Sequence, residues 1–367
     1  LYTGQPDEEE EYFNFPSDKR KELLQLFSQN KVKAYLSGHT HRTVINKYKD
    51  IQLVSGETTS RNFDNRPLGF RLWEVSADTL THQFIPLDLI DTTLSLIQNQ
   101  FLNNQAEALL TQANAVFSEN PPGWPDSPAR RNALFLLDGV LHDVYAPQRP
   151  PVQDFFKTRM KKAIEELEQT DVTEGARIWK LYNHGFLVRT KTVSIGFDLV
   201  RAKSVRERGF SIGDKDMLRL IDQCDALFIS HLHGDHAEEW VAQAFIDQGK
   251  PVLAPPGLWK EKGLHAQITH LERIPHAVQS FYVQDGKLEL QVVVYPGHQG
   301  SSIENNVTLV STPEGLSFAH MGDQSNADDF EWIDEVREHH QVDVLMPNCW
   351  TTDIVRVAKG FDPAVIM

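Results

Sequence analysis

The chain has 367 residues, enough for two or three domains. Hydrophobic residues make up 40% and charged residues 24%, a globular composition that excludes a disordered chain. The formal net charge of −15 would repel a phosphate backbone, so we expect no nucleic-acid partner. Two cysteines exclude a disulfide scaffold. No apolar run approaches the roughly 18 residues of a membrane span, so we expect none.

The first segment, residues 1–90, combines one helix with several strands. Residues 17–30 have a helical period, with Ser17 as the predicted N-cap. The strand-like stretches that follow are residues 32–36, 43–48, 51–54 and 70–75.

Residues 91–174 are interpreted as a helical connector. Two proline-rich stretches, 121–125 and 147–151, interrupt the helical pattern. We find no chemistry-bearing motif here and expect a packing role. The predicted helices are residues 91–119, 129–145 and 152–169.

Residues 175–367 alternate strands and helices, which indicates an α/β domain. One apolar strand, residues 225–230, ends in His231-Leu232-His233-Gly234-Asp235-His236, and the pattern predicts a helix directly after it. Imidazole and carboxylate are ligands for zinc, iron or manganese. Four such side chains within six residues are hard to explain by packing, so the run predicts a metal site.

This run is the HxHxDH motif, through which residues 175–367 resemble the metallo-β-lactamase superfamily of di-metal hydrolases. Three further positions match the superfamily in chain order. Asp198 follows the predicted strand 192–197, while His298 and Asp323 follow the strands 290–294 and 316–319.

The resemblance implies a four-layer αββα sandwich and a metal centre holding two divalent ions, with zinc favoured over iron or manganese. The ions would share a water and deliver hydroxide to an ester, lactone or phosphodiester. Asp235 would also orient this nucleophile, and Asp198 would brace the metal loop. The implied ligands are His231, His233 and His298 for one ion, Asp235 and His236 for the second, and Asp323 as the bridge.

The superfamily closes its second metal position with a further histidine after a late strand. That strand reads here as residues 364–367, so we expect the last ligand beyond Met367. His339 and His340, on a predicted helix over residues 328–340, lie too early to replace it. His184 and His320 match no ligand position and are expected in the core or behind the ligands.

A second motif, Ser37-Gly38-His39-Thr40-His41-Arg42, also follows a strand. The GHxH pattern resembles the last metal-ligand motif of calcineurin-like metallophosphoesterases, and residues 12–16 and 69–72 resemble that family too. The resemblance implies that His39 and His41 each serve one metal of a two-metal phosphoesterase. The family's earlier motifs are expected upstream of residue 1.

Together these features predict an α/β chain of three parts. They are the C-terminal fragment of a calcineurin-like metallophosphoesterase β-sandwich (1–90), a helical connector (91–174) and a metallo-β-lactamase-fold domain truncated at its C-terminus (175–367). The predicted function is metal-dependent hydrolysis of a small-molecule ester or phosphoester.

Three alternatives stay open. In the first, the chain is a non-catalytic metal-binding scaffold or sensor. In the second, it is a metallophosphoesterase whose main catalytic part lies upstream. In the third, it is two reading frames joined by a lost stop. The low cysteine count favours the cytoplasm, with the periplasm as the alternative compartment.

Overall fold

The computed structural model divides into two compact units, Leu1–Leu102 and Asn103–Met367. In the part that it describes, no helix combines the length and the apolar character needed to cross a bilayer. The boundaries predicted at residues 90 and 174 stay predictions. The described residues are 2, 4–9, 14–59, 62–76, 79–87, 92–123, 125–142, 145–202 and 211–367, without the side chains of 92–98.

The first unit packs one helix on a three-stranded sheet. Leu24 of the helix meets Ile51 and Leu53 of the central strand in a small buried core. The N-cap is Pro16 rather than the predicted Ser17, because the Pro16 carbonyl accepts the first helical bond, from Arg20 N at 2.9 Å. The elements are α1 (Ser17–Gln29), β1 (Ala34–Ser37), β2 (Val44–Tyr48) and β3 (Ile51–Ser55), in the sheet order β1-β3-β2.

A separate antiparallel pair completes this unit. Strand β4 (Gly69–Val75) confirms the prediction, whereas β5 (Leu80–Pro86) was not predicted. Three successive polar residues, Thr81, His82 and Gln83, hide the strand pattern of β5 in the sequence.

Three long helices follow: α2 (Thr92–Glu119), α3 (Pro128–Leu141) and α4 (Pro150–Gln169). All three were predicted. Ser127 caps α3 by accepting a hydrogen bond from Arg130 N at 3.0 Å. This helix ends before the predicted Tyr145, because the proline-rich segment forms its own 3₁₀ turn over Ala146–Gln148.

Two sheets form the body of the second unit. In the first sheet, β6, β7 and β8 are antiparallel, and β9 and β10 continue parallel to β8. Its order is β10-β9-β8-β7-β6, and α5 (Asp214–Asp222) and α6 (Glu239–Asp247) accompany it. The strands are β6 (Arg177–Lys180), β7 (Phe186–Arg189), β8 (Ser194–Phe197), β9 (Ala226–Phe228) and β10 (Val252–Leu253).

The second sheet runs in sequence order from β11 to β16. Strands β11 to β14 are antiparallel, and β15 and β16 add parallel to β14. The strands are β11 (Gln279–Val283), β12 (Leu288–Gln299), β13 (Ile303–Ser311), β14 (Ser317–His320), β15 (Val344–Met346) and β16 (Val365–Ile366), with helices α7 (Phe330–Ile333), α8 (Val336–His339) and α9 (Ile354–Phe361).

The packing makes four layers, which confirms the predicted αββα sandwich. Phe228 of the first sheet and Val292 of the second lie in one buried core between the sheets. Phe245 of α6 packs on the outer face of the first sheet. Ile333 of α7 and Phe361 of α9 cover the second sheet. Stacking two apolar sheet faces leaves the strand ends free to present polar side chains.

Three boundary predictions near the motifs were wrong. The helix after the histidine motif starts at Glu239 and not directly after His236. Strand β12 continues past Val294 to Gln299. The single helix predicted over 328–340 is a 3₁₀ turn followed by α7 and α8, because an i→i+3 bond from Glu335 N to the Trp332 carbonyl at 3.2 Å tightens the backbone.

Candidate metal centre

The histidine motif forms a tight turn between β9 and α6. Backbone N–H groups of His236 and Ala237 both donate to the His233 carbonyl, at 2.9 and 2.8 Å. The Ser230 carbonyl accepts from Asn306 N at 2.7 Å, which ties the start of the turn to β13. The turn therefore presents its side chains from a fixed backbone.

Asp198 lies behind this turn and is fully buried. Its carboxylate accepts from Ser230 N at 2.7 Å, from Ser230 Oγ at 2.6 Å and from His236 Nδ1 at 2.7 Å. Burial opposes its ionisation, but the charge of His320 and the bond from His236 outweigh burial and hold the pKa well below its usual range. The Asp198 bond leaves His236 Nε2 turned toward the site.

His231, His233 and Asp323 lie together at the end of the first sheet. Their ligand-type atoms are all within 4.8 Å of one another. His231 Nε2 is 3.2 Å from His233 Nδ1 and 3.8 Å from Asp323 Oδ2. Burial, with the neighbouring His236, lowers the pKa of His231 to about 4, so its imidazole is neutral near pH 7.

His236 and Asp235 adjoin this group through the other oxygen of Asp323. His236 Nε2 is 3.4 Å from Asp323 Oδ1 and 3.8 Å from Asp235 Oδ2. Burial lowers the pKa of His236, but hydrogen bonds to Asp198 and Asp323 raise it to about 10. The two oxygens of Asp323 thus face different histidines, as a bridging carboxylate requires.

His298 is not a member of the set within 4.8 Å. It belongs to β12, so it does not follow the strand as predicted. Its Nδ1 is 2.8 Å from Asp329 Oδ1, and its backbone N–H donates to Asp329 Oδ2 at 2.8 Å. The adjacent Gln299 donates to Asp323 Oδ2 at 3.0 Å, which brings the end of β12 against the group.

Gly322 positions Asp323. Gly322 has a left-handed φ of +53°, and a Cβ there would lie 2.3 Å from Asn305 Oδ1 and 2.4 Å from Ser230 Cβ. Asn305 Oδ1 also accepts from Asp323 N at 3.0 Å. Glycine is needed here for both its conformation and its size.

The sequence reasoning missed four side chains that hold this site. Asn183 donates to Asp235 Oδ2 at 3.0 Å and lies 3.3 Å from His236 Nε2. Its partners are 52 and 53 residues away in the chain, so no local spacing reveals the contact. The other three are Gln299, Asn305 and Asp329.

A cavity of about 610 Å³ opens at this site. Lys180 lies in its wall, and burial lowers the pKa of this lysine to about 8. Trp350, which is 83% exposed, and the exposed Cys349 also line it, whereas Cys224 is buried in the core under the first sheet. Met367 contributes to the same wall.

His184 and His320 are outside the group of ligand-type atoms within 4.8 Å, and His184 lines the cavity. His320 is buried and its Nε2 donates to the His184 carbonyl at 3.0 Å. Their rings are 4.5 Å apart. Burial, with the neighbouring His320, lowers the pKa of His184 to about 2.

In the first unit, His39 and His41 lie on one cavity of about 470 Å³. Both have left-handed backbones, with φ of +77° and +51°. Such a conformation is costly for a residue with a side chain and is concentrated at functional sites. Arg71, on the same cavity, pairs with Glu57 and lies 2.7 Å from His82 Nδ1.

No family model matches the chain. Over a short N-terminal region the chain is similar to serine/threonine-protein phosphatase CPPED1. The Bos taurus protein is 32% identical over 88 residues, and the Homo sapiens protein is 30% identical over 89 residues. In both cases the match covers 24% of this chain and 28% of the relative. The chain therefore spans little more than a quarter of these curated relatives.

Solved structures to which the chain is similar include metallo hydrolases and a diiron β-hydroxylase, all at low identity. Igni18, a metallo hydrolase from Ignicoccus hospitalis, has a TM-score of 0.40 and 15% identity, covering 52% of this chain and 80% of that one. The metallo-β-lactamase FIM-1 from Pseudomonas aeruginosa has a TM-score of 0.27 and 17% identity, covering 54% and 85%. The comparisons therefore record similarity to solved metallo-hydrolases and, over a short N-terminal region, to a serine/threonine-protein phosphatase.

Proposed function

We propose that the second unit is a metal-dependent hydrolase acting on a small-molecule ester, lactone or phosphodiester. The observation that carries the proposal is the placement of Asp323. One of its oxygens faces His231 and the other faces His236, at 3.8 and 3.4 Å. A packing role does not require a partly exposed carboxylate to be shared between two buried histidines.

The donor set fits divalent metal ions. Imidazole nitrogens and carboxylates are ligands that zinc binds, and a bound ion would displace the proton that His236 holds below its pKa of about 10. We assign one ion to His231, His233 and His298 and the second to Asp235 and His236, with Asp323 shared, and we favour zinc over iron or manganese. Asp198 supports the set, because its bond to His236 Nδ1 fixes the ring that faces the site.

The protein's own groups define the rest of the chemistry. When bound, such ions lower the pKa of a water and polarise a carbonyl or phosphoryl oxygen. In this proposal Asp235, which accepts a hydrogen bond from Asn183, would orient the attacking water and accept its proton. Lys180 supplies positive charge to the cavity wall below its pKa of about 8 and so favours an anionic transition state.

The test is hydrolysis by the zinc-loaded chain and by Asp235→Ala, with metal content measured in each. We expect kcat to fall by about 100-fold or more in the variant, because a positioned acid–base group contributes about 10²–10⁴. Asp247→Asn is the control. The described hydrogen bond of the Asp247 carboxylate on α6 comes from Gln243, at 2.8 Å.

Hydrolysis that survives Asp235→Ala with both metals bound would contradict the mechanism. A zinc-loaded wild-type chain that hydrolyses no ester, lactone or phosphodiester would favour the scaffold or sensor alternative instead. The cytoplasmic location and the absence of a nucleic-acid partner stay predictions.

Observations on the first unit support a second function. We propose that His39 and His41 belong to a two-metal phosphoesterase site, supported by their shared cavity and by the similarity to CPPED1. In the protein that carries this unit, His41→Ala should abolish phosphoesterase activity, whereas Lys49→Ala on the β2–β3 turn should not.

A further inference from the structure

A second group of metal-ligand side chains lies outside the proposed active site. His276, Glu335 and His339 bring one ligand-type atom each within 4.8 Å of the others. In the described part of the chain this is the one other such group. Nothing in the proposed hydrolysis uses it.

Two elements form the group. Glu335 and His339 are four residues apart around α8, so their side chains lie on the same helix face. His276 comes from the segment before β11. Its ring stacks on that of His339 with centroids 4.0 Å apart, and its Nε2 is 3.6 Å from Glu335 Oε2.

The other ring nitrogen of His276, Nδ1, contacts the hydroxyl of a buried tyrosine. Nδ1 is 3.3 Å from the hydroxyl of Tyr295, a fully buried residue stacked on Trp332. With the proton on Nδ1 donated to that hydroxyl, Nε2 keeps a lone pair for ligation. A hydrogen bond of this kind commonly orients metal-bound histidines.

The Nε2 atom of His276 is buried and has no hydrogen-bond partner, and the same holds for Nε2 of His340 beside it. An unsatisfied buried polar atom costs roughly 1–3 kcal/mol. His276 also has a left-handed backbone, with φ of +63°. A bound cation would satisfy the buried nitrogen and offset the cost of this conformation.

We propose that His276, Glu335 and His339 bind one divalent transition metal ion of the zinc type, with water completing its coordination. Two imidazoles and one carboxylate are a donor set that zinc accepts. The ion would clamp the segment before β11 to α8. Because Tyr295 and Trp332 pack in the core outside the second sheet, this site lies on another layer than the turn that carries His231.

The test counts zinc ions in the full chain by equilibrium dialysis and mass spectrometry. The background carries His231→Ala and His233→Ala, which disrupt the first centre, together with His39→Ala and His41→Ala, which remove the histidines proposed to bind metal in the first unit. We expect one ion per chain to remain there and to be lost on adding either His339→Ala or Glu335→Gln. His142→Ala, at an exposed histidine after α3, should leave the count unchanged.

A second readout is thermal unfolding with zinc as the only added ligand. Zinc should raise the Tm of the background protein, and each of the two variants should abolish that rise. Both substituted side chains are exposed, so the variants should fold. The proposal would be overturned if both variants bound as much zinc as the background protein and showed the same Tm rise. This outcome does not depend on whether the chain hydrolyses a substrate.

Discussion

Gly322 shows how one small residue controls the proposed metal centre. The side chain of Asn305 and the Cβ of Ser230 fill the space where a Cβ would stand. Asn305 in turn holds the backbone N–H of Asp323 and the Met321 carbonyl, at 3.0 and 2.8 Å. Displacing Gly322 therefore moves the carboxylate that faces both histidine groups.

We predict that Gly322→Ala costs about 2–5 kcal/mol, from roughly 1–2 kcal/mol of left-handed strain and about 1–3 kcal/mol of overpacking. Urea denaturation measures the stability, and hydrolysis should fall in parallel. Gly315→Ala is the matched control, because Gly315 has φ of +83° but no atom lies within 4 Å of the place where its Cβ would stand. Gly315→Ala should lose only the stability that left-handed strain costs. Equal losses of unfolding free energy in the two variants would contradict the role of packing at Gly322.

At the scale of elements, β12 carries His298 to the site through an unusual sequence. Pro296 and Gly297 precede it and normally end a strand. On one side, β11 pairs with β12 only up to Val292, so Pro296 faces no strand there and no backbone N–H is needed. On the other side, β13 pairs with β12 as far as Gln299, and this pairing continues the strand. The 3₁₀ turn before α7 then supplies Asp329 to orient His298.

We predict that Asp329→Asn weakens zinc binding by roughly 10- to 100-fold, as expected when a histidine ligand loses its outer partner. Competition with a chromophoric chelator measures the affinity. Asp328→Asn is the matched control, since this neighbour is exposed and its described hydrogen bonds are made by its backbone, with the N–H donating to Asn326 Oδ1 at 2.8 Å. The same affinity in both variants would remove His298 from the proposed ligands.

The elements also show what the sequence could reveal. The apolar strands before the motif, before Asp198 and before Asp323 were predictable, because each is a short hydrophobic run ending in a polar residue. Strand β13 was not, because three polar residues, Glu304, Asn305 and Asn306, follow its first residue, Ile303. The two asparagines are buried, and Asn305 pairs through its side chain with a residue 16 positions away, Met321, which local patterning cannot show.

The stability of the whole molecule should depend on pH, because the four layers of the second unit bury histidines to different extents. The folded-state pKa of His184 is lowered to about 2 by burial and by His320, against an ordinary value of 6.5. Below pH 6.5 the unfolded chain therefore takes up a proton that the folded chain does not. Stability should fall as the pH falls from about 6.5 toward 2.

We predict that the chelator-treated protein loses about 2 kcal/mol more between pH 6.5 and pH 5 than His184→Phe does, from 1.36 kcal/mol per pKa unit. Urea denaturation at the two pH values measures the difference. A parallel loss in both proteins would show that His184 is protonated in the folded state at pH 5.

The two cysteines differ in exposure, so a thiol reagent can report on the cavity. Cys224 is buried, and burial raises the pKa of its thiol to about 12, which makes it a poor nucleophile. Cys349 is exposed on the cavity wall beside Trp350. A maleimide reagent should therefore label the native protein at one position, and a molecule occupying the cavity should shield that position. Occupancy of the cavity can thus be followed even for a compound that the protein binds without turning it over.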